Sequence, residues 1–363
     1  MPSHETIFFI LFIAFIIFVL LIDLLLVGRK SHEVSTKEAA IWSIIWVTLG
    51  LSFTFFLSWK GHLVHGIENF DDLQSVVNKY ASHLVLFPDN YAKSINVYNN
   101  HMAIDYITGY LLEKSLSVDN LFVMMMILTA FSVRKISYKP ILFWGILGAI
   151  ILRSIFIFAG AALVKRFDWI LLIFGAFLIY SAIKMFFDKE EKIEPQNHKL
   201  IKFFSKHFPI YPRYVSTKFF FRKDKRLMFT PLFLVLIFIE FSDLVFAFDS
   251  IPAIFSVTLD PYVVFFSNIF AILGLRALFF LLIKIVDKFH YLKIGVSILL
   301  LFIGVKLLLH SWLDKIGFEN YYSLIFIVAV LLISVLLSLI FPKKEDIALK
   351  ELINKKDEII DEN

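Results

Sequence analysis

Residues 228–256, MFTPLFLVLIFIEFSDLVFAFDSIPAIFS, place three carboxylates in the middle of a run that is long enough to cross a bilayer. These acids are Glu240, Asp243 and Asp249. An earlier apolar run contains a second polar stretch, EKSLSVDN at residues 113–120, with two more acids. A carboxylate at membrane depth costs about 2.5–3.5 kcal/mol on insertion scales, so by default it marks an ion or substrate path. Five acids in two related places predict a bound cation as the compensating charge.

The composition is that of a polytopic membrane protein. Apolar residues make up 59% of the chain, and its mean hydropathy is +0.79. The chain has no cysteine, which excludes disulfides, thiolate metal sites and thiol catalysis. Histidine is nearly missing from the apolar runs, so an intramembrane metal would bind oxygen ligands, which favours hard cations. The net charge of +5 does not indicate nucleic acid binding, because most of the excess lies in loops assigned to the cytoplasm.

Apolar runs of about 20 residues predict an all-α fold of nine transmembrane helices. The runs are about 6–27, 41–59, 103–131, 140–164, 168–187, 228–256, 261–284, 292–310 and 322–341. The first run has no small-residue cleavage site, so we expect a retained helix rather than a signal peptide. Asp23 lies near the inner edge of that run, where an interfacial residue or a helix terminus is expected.

The lysines and arginines predict the orientation of these spans. Of 36 such residues, 25 fall in one set of loops and the C-terminal tail, six in the opposite loops and five within the runs. The basic side is expected to face the cytoplasm. The N-terminus is therefore predicted outside the cell and the C-terminus inside.

An internal repeat relates residues 113–184 to residues 240–306. Each half begins with Glu-x-Ser, continues with a span that carries one arginine, and ends near a lysine. Three spans per half is an odd number, so the second half is predicted to enter the membrane from the opposite side. In transporters with such inverted repeats, the binding site lies near the midplane at the repeat interface. The sequence therefore divides into five predicted units. They are a two-helix segment with an outer loop (1–102), the first repeat (103–187), a basic cytoplasmic linker (188–227), the second repeat (228–310), and a last helix with its tail (311–363).

Helical phase shows how the candidate ligands are distributed around each helix. At 100° per residue, each polar stretch has one face that contains its Glu and another that contains Ser and Asp. Pro252 predicts local unwinding, because it lacks an N–H and clashes with the carbonyl of Phe248. A freed carbonyl beside Asp249 would be a good cation ligand. The candidate metal ligands are Asp119, Asp243, Asp249, Glu113, Glu240, Asn120 and Ser242.

A second interpretation makes the same acids partners of buried arginines. Arg153 and Arg276 lie within the apolar runs, and intramembrane charges commonly pair with one another. This alternative is strongest for Glu113 and Glu240, because each repeat has one Glu and one Arg. The outer loop contains four histidines, His62, His65, His83 and His101. They could help to collect metal, but the favoured interpretation is that they are ordinary loop histidines.

The polar stretches resemble the signatures of a known family. EKSLSVDNLFV at 113–123 resembles the first signature of the TerC family of bacterial membrane proteins, and SDLVFAFDSIPAIF at 242–255 resembles the second. NIFAILGLRA at 268–277 extends the match, and FWGILGA at 143–149 is similar to the Alx branch. The resemblance covers roughly residues 5–340. Phe248 departs from the pattern, which has a smaller apolar residue there.

The resemblance implies a multi-pass protein of the bacterial inner membrane, in a family named for tellurium resistance. Its members resemble manganese exporters, and some are linked to metal loading of exported enzymes. The acidic positions of the family carry over to Asp119, Asp243 and Asp249, and less securely to Glu113 and Glu240. The motifs themselves fix neither the metal nor the direction of transport.

We therefore expect a divalent-cation transporter that exports Mn²⁺, with proton exchange as an energy source. It would not be an enzyme, would use no organic cofactor, and would have the metal ion and the lipid bilayer as partners. A membrane scaffold with structural charges is the alternative, and an intramembrane aspartyl protease is disfavoured because Gly-x-Gly-Asp is missing. The sequence leaves open whether the chain forms a homo-oligomer or a membrane-protein complex.

Overall fold

The computed structural model describes ten ranges of the chain. They are residues 4–28, 35–167, 169–187, 209–211, 213–223, 226–283, 291–309, 312–313, 318 and 320–341. Within these ranges, the side chains left outside the description are those of residues 23–28, 118, 119, 122, 130, 292 and 320. The side chains of Asp23 and Asp119, and most of the predicted linker and tail, therefore lie outside the described structure.

The described chain is almost entirely helical. Its helices are α1 (His4–Gly28), α2 (Thr36–Lys60), α3 (Phe70–Tyr80), α4 (Tyr91–Ala130), α5 (Tyr138–Arg166), α6 (Ile170–Phe187), α7 (Pro231–Phe255), α8 (Pro261–Ile272), α9 (Leu275–Leu282), α10 (Leu292–Leu308) and α11 (Asn320–Ile340). Short 3₁₀ helices cover Gly61–Val64 and Lys135–Ser137. An antiparallel hairpin of β1 (Phe220–Lys223) and β2 (Arg226–Phe229) precedes α7, and the sequence did not predict it.

Six described helices are long and apolar enough to cross a membrane, and the bent pair α8–α9 makes a seventh candidate. Their outward faces carry exposed apolar side chains, as expected for contact with lipid. Phe55, for example, is 75% exposed. The predicted spans 103–131 and 292–310 coincide with α4 and α10. However, α4 carries several charged residues and α10 has 17 residues, so apolarity and length alone do not mark them as spans. The protein is thus a polytopic, all-α integral membrane protein apart from its hairpin.

Helix α4 is longer than the predicted span that it contains. Its 40 residues extend for about 60 Å, roughly twice the thickness of the hydrocarbon core. Asn90 caps the N-terminus of the helix, because its side chain accepts a hydrogen bond from the Lys93 amide. The first three turns lie before the apolar run and pack against α3 and the 3₁₀ helix after α2. This end of α4 forms a polar cap on the bundle.

The helix break lies elsewhere than predicted. Helix α7 continues through Pro252 to Phe255, so the unwinding expected at Asp249 and Pro252 is wrong. Pro252 stands in the last turn, where its missing N–H removes only one bond before the helix ends. The break instead follows Ile272, where α8 and α9 meet at 41°. Gly274 has φ +83° there, and a Cβ on it would collide with Trp46 of α2.

The two predicted repeats pack reciprocally. Helix α4 of the first half packs on α8 of the second, and α7 of the second half packs on α5 of the first. Helices α6 and α10 meet at two glycines. A Cβ on Gly175 would lie 2.9 Å from the Gly304 carbonyl oxygen, and a Cβ on Gly304 would lie 2.8 Å from that of Gly175. The backbones of α6 and α10 are therefore in direct contact.

A buried ionic network joins α1 to the connection between α7 and α8. His65 Nε2 lies 2.7 Å from Asp260 Oδ2, and His65 Nδ1 lies 3.4 Å from Glu5 Oε1. The His65 side chain is 2% exposed, so it is not the ordinary loop histidine that the sequence favoured. Burial alone would lower the pKa of His65, but the charges and hydrogen bonds of Asp260 and Glu5 outweigh it and raise that pKa to about 9.

Candidate ion-binding site

Arg153 of α5 lies at the centre of the candidate site and has no exposed surface. Its Nε donates to Asp243 Oδ2 at 3.1 Å and its Nη2 donates to Asp243 Oδ1 at 2.9 Å, a bidentate pair with α7. Its Nη1 donates to Glu113 of α4 and, at 3.4 Å, to Ser250 Oγ of α7. One guanidinium thus links the two polar stretches of the sequence.

Glu113 is fully buried and is held from three directions. Besides Arg153, it accepts a hydrogen bond from Asn268 Nδ2 of α8 at 3.1 Å, on Oε2. Ser117, one turn later in α4, donates to Oε1 at 3.4 Å. The Glu113 carboxylate therefore joins α4, α5 and α8.

Two asparagine side chains at this site have an amide oxygen with no hydrogen-bond donor in the described part of the chain. Asn120 Nδ2 donates to Asp243 Oδ1 at 3.3 Å, so both asparagines give their N–H to a carboxylate. The Oδ1 atoms of Asn120 and Asn268 are buried, and no described residue donates a hydrogen bond to either. A buried acceptor without a partner is costly and calls for a ligand or an ordered water. Because both amides already donate to acids, the free oxygens suit a cation.

The remaining predicted ligands are distributed around this centre. Glu240 lies against Gly148 of α5, and its Oε2 is buried with no hydrogen-bond donor among the described residues. Asp249 faces α6, where Ser181 Oγ donates to its Oδ1 at 2.7 Å. Ser242 is half-buried on α7. The other predicted arginine, Arg276, is buried on α9.

The charges at the centre do not cancel. Glu113 and Asp243 contribute two negative charges when ionised and Arg153 contributes one positive charge, so one negative charge remains. Within the described part of the chain, no three acidic or imidazole side chains already converge as a metal-binding group. The guanidinium occupies the space between the two carboxylates. A metal ion could bind both acids only if Arg153 moved aside.

Lys114 places a second cation beside the site. Its Nζ donates to the carbonyl oxygens of Ala271, at 3.1 Å, and Leu273, at 3.5 Å. These carbonyls belong to the C-terminal end of α8, where the helix breaks and its dipole is negative. Lys114 therefore caps the break from the residue next to Glu113.

The sequence identified most of the acids but missed several of their partners. Ser250 follows Asp243 by seven residues, two helical turns, and this spacing could have revealed it. Asn268 was noted only as part of a family motif, and Ser181 gave no sequence signal. On α7, the two residues that accept hydrogen bonds from Arg153 are Asp243 and Ser250, rather than the candidate ligands Ser242 and Asp249.

The fold and the site define the class of the protein. It is a polytopic membrane protein with a buried ionic site where α4 and α5 meet α7 and α8. The model of the integral membrane protein TerC family matches residues 98–346, and the chain belongs to this family. The match includes every residue named at the centre of the site.

Several curated proteins are similar over most of their length. "Putative membrane-bound redox modulator Alx" of Salmonella typhi is 43% identical over 289 residues, 79% of this chain and 81% of that protein. Membrane protein STKORF319 of Myxococcus xanthus is 39% identical over 88% of both chains. A membrane protein of Rickettsia felis is 36% identical over 91% of this chain and 97% of its own. No solved structure matches the chain.

Proposed function

We propose that the protein transports a divalent cation and exports Mn²⁺ from the cytoplasm. The observation that carries this proposal is a pair of buried amide oxygens, on Asn120 and Asn268, that accept no hydrogen bond from the described residues and belong to amides bonded to two carboxylates. Glu113 and Asp243 offer two oxygens each and the amides one each, or six in all. Hard divalent cations take about six or more oxygen ligands. Asp119 is a further candidate ligand on α4.

Arg153 would act as the counter-ion of the empty site. Its guanidinium pairs with both acids and offsets one of their two negative charges, in keeping with the tendency of intramembrane charges to pair. An arriving cation would replace it, because both bind the same carboxylate oxygens. Oxygen ligands alone do not favour Mn²⁺ over metals that bind more strongly, so selectivity would depend on geometry and availability.

We extend the proposal to the membrane topology. It places nine spans in the bacterial inner membrane, with the N-terminus outside and two inverted three-helix repeats around the site. The reciprocal packing of α4 on α8 and of α7 on α5 supports such a repeat. Rocking of one repeat against the other would then expose the site to each side in turn, and proton exchange could drive export.

The name of the Alx relatives suggests a second function. They are called redox modulators, but this chain has no cysteine, so its own side chains cannot perform thiol–disulfide exchange. A membrane scaffold is the better alternative, and the observation in its favour is that Arg153 already pairs with both acids. In a scaffold, these charges would only hold the helices together.

Mn²⁺ flux into proteoliposomes, measured with purified full-length protein, tests the proposal. Glu113→Gln and Asp243→Asn should each lower the flux at least tenfold, because each removes an anionic ligand. Asp89→Asn changes an exposed loop acid and serves as the matched control, with flux expected at the wild-type level. Wild-type flux in both site variants, at equal incorporation, would contradict the assignment. A scaffold predicts no Mn²⁺ flux in the wild-type protein either.

A further inference from the structure

We propose that His83 and His101 form a separate metal site for a borderline divalent cation such as Cu²⁺, Ni²⁺ or Zn²⁺. His83 lies in the connection between α3 and α4, and His101 lies in the part of α4 that precedes its apolar run. Their Nε2 atoms are 2.8 Å apart, and the ring centroids are 4.8 Å apart. The two imidazole edges therefore face each other at the polar end of the bundle.

A buried carboxylate orients one of these rings. Asp105 follows His101 by one helical turn, and its Oδ2 lies 3.4 Å from His101 Nδ1 with the Asp side chain 4% exposed. A carboxylate at Nδ1 stabilises the Nδ1–H tautomer, which leaves the lone pair on Nε2. In the metal-free protein, His83 Nε2–H can donate to this lone pair. Metal binding at His83 Nε2 requires the other neutral tautomer, so this proton would move to His83 Nδ1 by exchange with solvent, and both Nε2 atoms would then be ligands.

The geometry is close to that of a two-histidine site. Zn–N bonds of about 2.0–2.1 Å at a tetrahedral angle separate two ligand nitrogens by about 3.3 Å. The observed distance of 2.8 Å between the two Nε2 atoms would therefore have to increase by about 0.5 Å to reach this bond geometry. His83 can supply this movement, because it is exposed and lies outside any helix. Its exposure also lets water fill the remaining coordination positions.

The ligand chemistry distinguishes this pair from the intramembrane site. Imidazole nitrogen suits Cu²⁺, Ni²⁺ and Zn²⁺, whereas Mn²⁺ lies lowest in the affinity order and prefers oxygen. His62 lies in the 3₁₀ helix between α2 and α3 and is held differently, since its ring and backbone contact Asn99. The inference does not depend on Mn²⁺ export, and its test is a binding measurement.

Cu²⁺ binding to the purified full-length protein tests the site, by equilibrium dialysis and by electron paramagnetic resonance at one Cu²⁺ per chain. The wild-type spectrum should show hyperfine coupling to nitrogen. His83→Gln and His101→Gln should each weaken binding at least tenfold and remove part of that coupling. Asp105→Asn should weaken binding about 10–100-fold, as loss of an orienting partner does elsewhere.

His4→Gln removes an exposed histidine outside the pair and should bind Cu²⁺ as the wild type does. Thermal unfolding of each variant confirms that it is folded; His83 is a loop residue, so its variant keeps the test valid even if Asp105→Asn unfolds. Wild-type affinity in both His83→Gln and His101→Gln, or a spectrum without nitrogen coupling, would overturn the site. Mn²⁺ flux should be unchanged in the His83 variant, which separates this result from the proposed export.

Discussion

At the scale of single residues, Arg153 controls the charge of the site. It is buried with Glu113 and Asp243 on two other helices, so each charge depends on the others. Removing one partner of a buried pair leaves an uncompensated charge, which is far more costly than removing the whole group. The cluster is therefore expected to be sensitive to single substitutions and tolerant of matched ones.

Arg153→Met should lower the free energy of unfolding by about 3–5 kcal/mol, because it strands two buried carboxylates. Reversible unfolding in sodium dodecyl sulfate, monitored by circular dichroism, measures this change. The triple variant Arg153→Met, Glu113→Gln and Asp243→Asn has no unpaired charge and should be more stable than the single variant. If the single and triple variants were equally stable, the charge argument would fail.

Asn268→Leu removes one donor-free amide oxygen while it keeps a similar side-chain volume. Excess Mn²⁺ should stabilise the wild-type protein by about 2.7 kcal/mol at a concentration of 100 times the dissociation constant. At that same concentration the variant should show at most half of this stabilisation. Asn96→Leu, on an exposed face of α4, is the matched control and should respond as the wild type does. The measurement is the Mn²⁺-dependent shift in thermal unfolding.

The sequence predicts these residues unevenly. Glu113 and Asp243 stand out because a carboxylate in an apolar run has a known energetic cost. The sequence offers pairing with a buried arginine as an alternative for both acids, and more strongly for Glu113 than for Asp243. It does not specify that both acids pair with Arg153, since helical phase alone does not say which helices are neighbours. Asn268 and Ser250 are uncharged and therefore give a weaker sequence signal, although they complete the site.

At the scale of helices, the contact between α6 and α10 depends on two glycines. Gly175→Ala and Gly304→Ala would each press a methyl group against the backbone carbonyl of the facing helix. We expect each to lower stability by about 1–3 kcal/mol, the usual cost of overpacking. Gly145→Ala is the control, because its Cβ would meet only the Cγ2 methyl group of the Ile239 side chain, at 3.3 Å, and no backbone atom. Unfolding in detergent compares the three, and a Gly145 variant as unstable as the other two would refute the explanation.

The contact of α1 with the α7–α8 connection should depend on pH through His65. Its folded-state pKa of about 9 lies above the ordinary 6.5, so the protonated form stabilises the fold. This contribution, on the order of 3 kcal/mol, is fully present below pH 6.5 and is lost as the pH rises through about 9.

Melting temperatures measured between pH 6 and pH 10 check this expectation. The wild type should lose stability over that range, and His65→Gln should show a flatter profile with a lower value at pH 6. His101→Gln provides a comparison for the general effect of losing a histidine. Parallel profiles for the wild type and His65→Gln would rule out His65 as the titrating group.

Helix positions follow from hydropathy, but helix breaks do not. The predicted spans coincide with described helices because a long apolar run has few alternatives in a bilayer. Pro252 suggested a break, yet its position in the last turn of α7 makes it harmless to the helix. The actual break lies at Gly274, which has a left-handed backbone and leaves no room for a Cβ beside Trp46 of α2, a long-range contact that local hydropathy does not reveal.

At the scale of the whole molecule, the absence of cysteine makes the proposed orientation directly testable. Asp89→Cys and Lys223→Cys each introduce a single thiol at an exposed position, on opposite predicted sides. A membrane-impermeant maleimide should label the first in intact spheroplasts and the second only after permeabilisation. The parent chain, which has no thiol, gives the background. The reverse pattern would mean that the N-terminus faces the cytoplasm.

Lys114 places a covalently attached cation at the C-terminal end of α8. Its ammonium group covers the carbonyl end of α8, which would otherwise be an attractive resting place for a passing ion. Tight binding of an ion at that position would slow its passage, since transport requires binding that is weak enough for the ion to be released. In the proposed transporter, an ion that reaches the middle of the bundle would find this carbonyl end already occupied by Lys114 and would bind the carboxylates of the site instead, of which Glu113 is the adjacent residue in the chain.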